Sequence, residues 1–341
     1  MKYNLLGNTG LYVSELCLGT MTFGAKGGNW TAIGGVEQES ANQIVKRSVD
    51  AGINFIDTAN VYSEGISEEI TGKAIRDLGL RRDDLIIATK VRGRMGPGIN
   101  HNGLSRKHIM WQVEESLKRL NMDYIDLYQI HGEDALTPME EVLRALDDLV
   151  KSGKVRYIGA SNHSAWRLMQ ALGISDAKGM ARFASLQAYY TIVGRDLERE
   201  LVPLMLDQKV GLMVWSPLAG GFLSGKYRRN KENTTEDRRV KFDFPPINKE
   251  KAYDIIEVMD TIAQAKGVSV AQIALAWLLH QKVVSTVIIG AKRMEQLEDN
   301  LKSIEVVLSA EELAVLEQAS ALVPEYPNWM INFQGVDRKK V

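Results

Sequence analysis

Four residues of different chemistry stand at or just beyond the ends of short apolar runs: Asp57 in GINFIDTANVY, Tyr62 in the loop that follows it, Lys90 in LIIATK and His131 in LYQIH. Singly, each has an ordinary explanation. An Asp after a strand caps helices and forms turns; a Lys there is commonly solvated, a His is more often a structural hydrogen-bonder, and a loop Tyr commonly packs. Together they make coherent chemistry. A phenol titrates near ~10, too high for efficient proton exchange at neutral pH, and a neighbouring ammonium lowers that value by stabilising the phenolate. The Asp57 carboxylate would hold the Lys90 ammonium in place and charged. A neutral His131 could hydrogen-bond a carbonyl oxygen and orient it. Such a set polarises a carbonyl and delivers a proton, but it contains no hydride source and so requires a redox cofactor.

The elements that must position these residues follow one rhythm. Short, largely apolar runs at Glu15–Leu18, Ile53–Asp57, Leu85–Lys90, Ile125–His131, Val155–Ala160, Phe183–Gln187, Gly211–Trp215 and Thr286–Ile289, most of them with β-branched residues, alternate with amphipathic stretches. Ser105–Leu120 opens on Ser105 as N-cap and puts Ile109, Val113, Leu117 and Leu120 on one face. Thr137–Lys151 opens with Thr137, Pro138, Met139 and Glu140, a capping box with proline at the first helical position, and Gly153 stops it. Eight strand–helix units predict an α/β chain folded as a (β/α)₈ TIM barrel, roughly 250 residues plus insertions, in one domain over residues 1–341. An open doubly wound sheet is the alternative. The insertions are a glycine-rich loop at 23–36, a loop at 216–246 whose polar second half is expected to be mobile, and a tail at 323–341. Tyr3–Leu6 and Tyr12–Ser14 predict a hairpin closing the barrel bottom. Chemistry in this architecture sits at the C-terminal strand ends. Besides the four residues above, those ends carry Ser161, Asn162, Gln187, Trp215, Ser216 and Gly290.

Composition bounds the function. The 341 residues carry 42 Lys+Arg and 43 Asp+Glu, a net charge of −1, which argues against nucleic acid as a main partner. One cysteine, Cys17, excludes an intramolecular disulfide and fits a reducing compartment. The five histidines show no metal-ligand spacing, so no metal is expected. The opening MKYNLLGNTG lacks the apolar stretch of a signal peptide, and no uncharged run of ~18 apolar residues exists to cross a membrane. The expected location is the cytoplasm.

The run GINFIDTANVYSEGISEEITGKAI (Gly52–Ile75), ATK at Lys90, DLYQIHG around His131 and GKVRYIGASN up to Asn162 resemble the aldo-keto reductase superfamily, over nearly the whole chain. The resemblance implies a (β/α)₈ barrel that transfers hydride between a nicotinamide dinucleotide and a carbonyl or alcohol. It places the family's catalytic Asp, Tyr, Lys and His on Asp57, Tyr62, Lys90 and His131, with Asp57 also beside the cofactor. VWSPLAGGFLSGKY (Val214–Tyr227) is similar to the branch that includes the potassium-channel β-subunits.

No GxGxxG follows the first strand, so a Rossmann site is not supported. Gly220–Tyr227 comes close to a nucleotide-triphosphate loop, but Tyr227 replaces its metal-binding hydroxyl. The same glycine-rich turn would still offer exposed backbone amides, with Lys226 alongside, to an anion. The resemblance folds this loop over the cofactor pyrophosphate, making Ser216, Leu218, Gly220 and Lys226 candidate contacts. It stacks Trp215 on the nicotinamide and sets Ser161, Asn162 and Gln187 against its carboxamide. Trp215 as a core residue and Asn162 as a helix cap are the ordinary alternatives. Lys292 and Arg293 stand at a helix N-terminus, where cations are disfavoured unless they clamp an anion. The resemblance brings Gly290, Lys292, Gln296 and Asn300 to the adenosine end, with Lys292 near a 2′-phosphate, so NADP(H) is expected over NAD(H).

The expected partner is a small carbonyl or alcohol substrate. Two other classes fit the sequence less well. A cofactor-bound regulatory or scaffolding subunit fits the channel-associated branch, but the four-residue set is complete and no partner-binding N-terminal extension is seen. A barrel glycosidase needs two facing carboxylates, and only Asp57 stands at a strand end, with Glu133 and Asp134 beyond His131 read as solvated. The loop aromatics Trp30, Trp329 and Phe333 suggest an apolar substrate pocket, or in the tail a contact between copies in a homo-oligomer.

Overall fold

The eight apolar runs form the parallel strands of one closed barrel in the computed structural model, which describes residues 1–28, 30–229, 239 and 242–336. An antiparallel hairpin comes first, β1 (Tyr3–Leu5) and β2 (Tyr12–Ser14). The barrel strands are β3 (Leu16–Gly19), β4 (Phe55–Asp57), β5 (Ile86–Val91), β6 (Ile125–Ile130), β7 (Val155–Ser161), β8 (Phe183–Tyr189), β9 (Gly211–Trp215) and β10 (Val284–Ile289). Each pairs with the next, and β10 closes onto β3. This closure is the predicted (β/α)₈ barrel and excludes the open sheet.

Side chains alternate across a strand, and the barrel uses both faces. Cys17, Phe55, Ile86, Ala88, Leu127, Met213 and Ile288 pack with Leu6 and Val13 of the hairpin into one buried cluster. The opposite faces meet the surrounding helices in a larger core. Two residues past these apolar positions, the same inward faces turn polar or aromatic: Asp57 after Phe55, Lys90 after Ala88, Gln129 after Leu127 and Trp215 after Met213. The barrel thus has an apolar floor and a polar rim at its C-terminal end.

The hairpin closes the floor. Asn4 Nδ2 donates to the Ser285 carbonyl at 2.9 Å, and the Ser14 amide donates to Asn54 Oδ1 at 2.8 Å. Gly7 has φ +58°, and a Cβ there would lie 2.3 Å from the Ala184 carbonyl oxygen, so only glycine lets the turn approach the starts of β8 and β9.

Ser105 caps the helix Arg106–Leu120 as predicted, its hydroxyl accepting from the His108 amide. The next expected cap is corrected. That helix runs Met139–Lys151, with Pro138 at the N-cap and no side-chain cap, because Thr137 Oγ1 donates to Asp134 Oδ2 at 2.7 Å. Gly153, at φ +78°, follows its end. The loop at 23–36 carries a short helix, Trp30–Ile33. The polar stretch expected to be mobile, residues 230–238, 240 and 241, lies outside the described residues, as does the tail end 337–341. The rest of the tail forms a helix, Asn328–Gly335, tied by Asn328 Nδ2 to the Arg199 carbonyl. Among the described residues no single helix is long and apolar enough to cross a membrane.

Candidate active site

Lys90 organises the rim. Its ammonium is fully buried and donates to Asp57 Oδ2 at 2.5 Å, to the Thr58 carbonyl at 2.9 Å and to Tyr62 Oη at 3.3 Å. The register explains the reach: Asp57 on β4 pairs with Ala88 on β5, so Lys90 rises one pleat above it and points into the same space. Burial alone would lower the Lys90 ammonium, and the Asp57 carboxylate with Tyr62 more than offsets that, so the ammonium is held. Asp57 Oδ1 accepts from Gln129 Nε2 and Gln187 Nε2, both at 2.9 Å. All these partners of the Asp57 carboxylate belong to the protein.

The phenol of Tyr62 departs from expectation. Burial pushes it above its ordinary value, the Lys90 ammonium pulls it down, Asp57 pushes it up, and the outcome is a rise. The ammonium moderates the phenol without making it acidic. Tyr62 therefore holds its proton at neutral pH. It opens a turn in which Ser63, Glu64 and Gly65 all have left-handed φ, 50°, 57° and 97°. That conformation costs about 1–2 kcal/mol at each residue that is not glycine, so the surroundings must enforce it. The Trp30 ring meets Tyr62 edge-on at 5.4 Å.

His131 lies just past β6, its ring 5.8 Å from that of Tyr62 and steeply tilted to it. Burial, with Lys90 and Arg92 nearby, lowers its imidazole to about 3, so it is neutral, as the proposed carbonyl contact requires. The Asn162 side chain joins two walls of the rim: Nδ2 donates to the His131 carbonyl at 3.2 Å, and Oδ1 accepts from Trp215 Nε1 at 3.0 Å. Trp215 also contacts Tyr189 at 5.1 Å and Phe244 at 5.9 Å. It is half-buried, a rim residue rather than a core one.

The other candidates fall into two groups. Ser161, Asn162 and Gln187 face the rim described above. Gln187 spends its amide nitrogen on Asp57 and Gln129, and its Oε1 makes no hydrogen bond among the described residues, an acceptor open to a ligand amide. Such an acceptor, beside the half-buried indole of Trp215, fits a nicotinamide carboxamide and ring. Gly290, Lys292, Gln296 and Asn300 cluster beyond β10. Gln296 Oε1 accepts from the Lys292 amide at 2.9 Å and the Arg293 amide at 3.3 Å. Lys292 Nζ donates to the Ala32 carbonyl at 3.3 Å, and Asn300 Nδ2 approaches the Gly290 carbonyl at 3.5 Å.

The glycine-rich turn corrects one expectation. Its amides at Ala219, Gly220, Gly221 and Leu223 are spent internally, on Ser216 and Leu218. Anion contact there falls to side chains, with Lys226 exposed beside it. The reading of Glu133 and Asp134 as solvated is also corrected. Glu133 Oε1 accepts from the Ser164 amide and hydroxyl, both at 2.7 Å, and Asp134 accepts from Leu104, Leu136 and Thr137. Both carboxylates anchor loops. Sequence reasoning missed Gln129, whose signal was its place on the inward, otherwise apolar face of β6.

The sequence matches the model of the family described as Aldo/keto reductase family over residues 15–321. The chain is 38% identical over 336 residues to a probable voltage-gated potassium channel subunit beta from Arabidopsis thaliana, covering 96% of this chain and 99% of the relative. It is 36% identical to a versiconal hemiacetal acetate reductase from Aspergillus parasiticus, covering 93% and 96%. It is 37% identical to an uncharacterized oxidoreductase from Bacillus subtilis (strain 168), covering 93% and 95%.

Proposed function

This chain belongs to the Aldo/keto reductase family of oxidoreductases, and on that premise we propose that it reduces aldehydes and ketones reversibly to alcohols with NADP(H) in preference to NAD(H). The observation that carries the reading is the Lys90 ammonium, 2.5 Å from Asp57 Oδ2 and 3.3 Å from Tyr62 Oη, with a neutral His131 ring beside the same phenol. The bound nicotinamide supplies the hydride. Tyr62 gives its proton to the substrate oxygen as charge develops there, and the Lys90 ammonium stabilises the phenolate that remains. Asp57, itself held by Gln129 and Gln187, keeps Lys90 aimed. His131 donates to the same oxygen from its neutral ring and orients it.

Ser161, Asn162 and Gln187 would hold the carboxamide, and Trp215 the ring. The Ser216 hydroxyl and the Lys226 ammonium would meet the pyrophosphate, with Leu218 and Gly220 shaping the turn behind them, and Gly290, Lys292, Gln296 and Asn300 would meet the adenosine end. The rings of Trp30, Trp215 and Phe244 around the mouth favour aromatic carbonyl substrates. A screen of aromatic and aliphatic aldehydes, ketones and alcohols with both cofactors tests this. The expected result is a higher kcat/KM with NADPH and with aromatic aldehydes; a preference for NADH would overturn the role of Lys292. The similarity to a channel β-subunit supports a second reading, a cofactor-bound regulatory subunit. Tight NADPH binding with no oxidation across the panel would favour that one.

A further inference from the structure

We infer that Glu68, acting through Thr89 and Arg119, is a positioning residue that sets the contact between Tyr62 and Lys90; the inference rests on the proton-donor reading of Tyr62. Glu68 lies near the start of the helix Ile66–Asp77, directly after the left-handed turn that Tyr62 opens. Its side chain is wholly buried. A carboxylate removed from water is tolerated only when paired and hydrogen-bonded, and both oxygens are engaged. Oε1 accepts from Thr89 Oγ1 at 2.5 Å, and Oε2 accepts from Arg119 Nε at 2.6 Å.

Each partner leads to the active site. Thr89 precedes Lys90 on β5, and neighbours on a strand face opposite ways. Glu68 therefore grips the outer side of the strand whose inner side carries the ammonium. Arg119, from the helix Arg106–Leu120, lies across Gly65, where a Cβ would sit 2.6 Å from Arg119 Cδ. Gly65 is the last of the three left-handed residues after Tyr62. One buried carboxylate thus braces, from behind, both the strand of Lys90 and the turn of Tyr62. Backbone bonds along the loop between them, Thr58 amide to Ala88 carbonyl and Asn60 amide to Lys90 carbonyl, tie the strand to the loop, while Tyr62 amide to Ala59 carbonyl and Glu64 amide to Val61 carbonyl hold the turn on itself, so the bridge through Glu68 is a separate link between strand and turn. A buried ion pair is commonly no more stabilising than apolar side chains of the same volume. The directional bonds to Thr89 and Arg119 give this one a geometric purpose.

The test uses the full chain and four variants: Thr89→Val, which removes the hydroxyl; Thr89→Ser, which keeps it; Glu68→Gln; and Leu143→Ala, a buried site on another helix chosen for a matched loss of Tm. Steady-state kinetics are paired with the Tyr ¹³Cζ spectrum of the ligand-free protein, the Tyr62 resonance being assigned by its loss in Tyr62→Phe. Misplacement of reacting groups by about 1 Å costs roughly 10²-fold. Thr89→Val and Glu68→Gln are expected to lower kcat by about tenfold to a hundredfold, to leave KM within a few-fold, and to move the Tyr62 resonance. Thr89→Ser and Leu143→Ala leave both near wild type. If Thr89→Val and Glu68→Gln lose Tm as Leu143→Ala does while kcat and the resonance stay unchanged, the inference is overturned. Should Glu68→Gln not fold, the Thr89 pair decides alone. If Tyr62→Phe keeps its turnover, the proton-donor reading fails, whereas the resonance of Tyr62 still reports whether Glu68 sets its surroundings.

Discussion

Lys90 is an ammonium without exposed surface whose charge survives because Asp57 lies 2.5 Å away and is itself held by two glutamines. Burial of the same rim sets the protonation pattern of the site: Tyr62 protonated, His131 neutral. Two pH effects follow. Reduction needs the proton on Tyr62, whose burial holds it above the ordinary value of ~10. The kcat for reduction should therefore be flat across neutral pH and fall only on the alkaline side; a limb near pH 6 to 7 would implicate another group. His131 titrates at about 3 in the folded protein and near ~6.5 when unfolded. Between those values the unfolded chain binds more protons, so stability is full above ~6.5 and is lost as pH falls toward 3. The fall in Tm from pH 7 to pH 5 should be smaller in His131→Asn than in wild type. Equal falls would show that the folded ring is not held neutral.

At the scale of elements, the site depends on close approach of the two helices behind β4 and β5. Gly72, in the helix Ile66–Asp77, would place a Cβ 2.1 Å from the Leu120 carbonyl oxygen, against backbone that cannot rotate away. Gly72→Ala should cost about 3 kcal/mol, at the upper end of typical overpacking effects, read as a lower denaturant midpoint. An unchanged midpoint would mean that the helices are not held at this distance. The same elements show how far local sequence reaches. The Ser105 cap was legible because its donor, the His108 amide, lies three residues away. The Thr137 cap was misread because Asp134, in the preceding loop, takes that hydroxyl first. Of the left-handed run after Tyr62 only Gly65 carried a signal, since Ser63 and Glu64 are not residues that favour it; packing by Gly24, Lys26 and Arg119 stands around it.

For the whole molecule, eight short apolar runs alternating with amphipathic stretches made the barrel legible, and strand ends moved by only one or two residues. The rim was legible in part because inward positions alternate. Asp57 and Lys90 meet as neighbouring strands require, yet Asp57 with Gln129 and Gln187, and Asn162 with Trp215, meet only when the barrel closes. A barrel separates stability at its floor from chemistry at its rim. Leu6→Ala, in the wholly buried plug of the floor, should cost about 2–5 kcal/mol and leave kcat and KM unchanged at temperatures where the variant is folded; a changed KM would deny that separation. The most direct measurement is the NADPH-dependent kcat of Tyr62→Phe beside its cofactor Kd. General acid catalysis contributes about 10²–10⁴-fold, so kcat should fall by at least a hundredfold with Kd within a few-fold of wild type. A Tyr62→Phe protein that turns over at a near-normal rate would contradict the account.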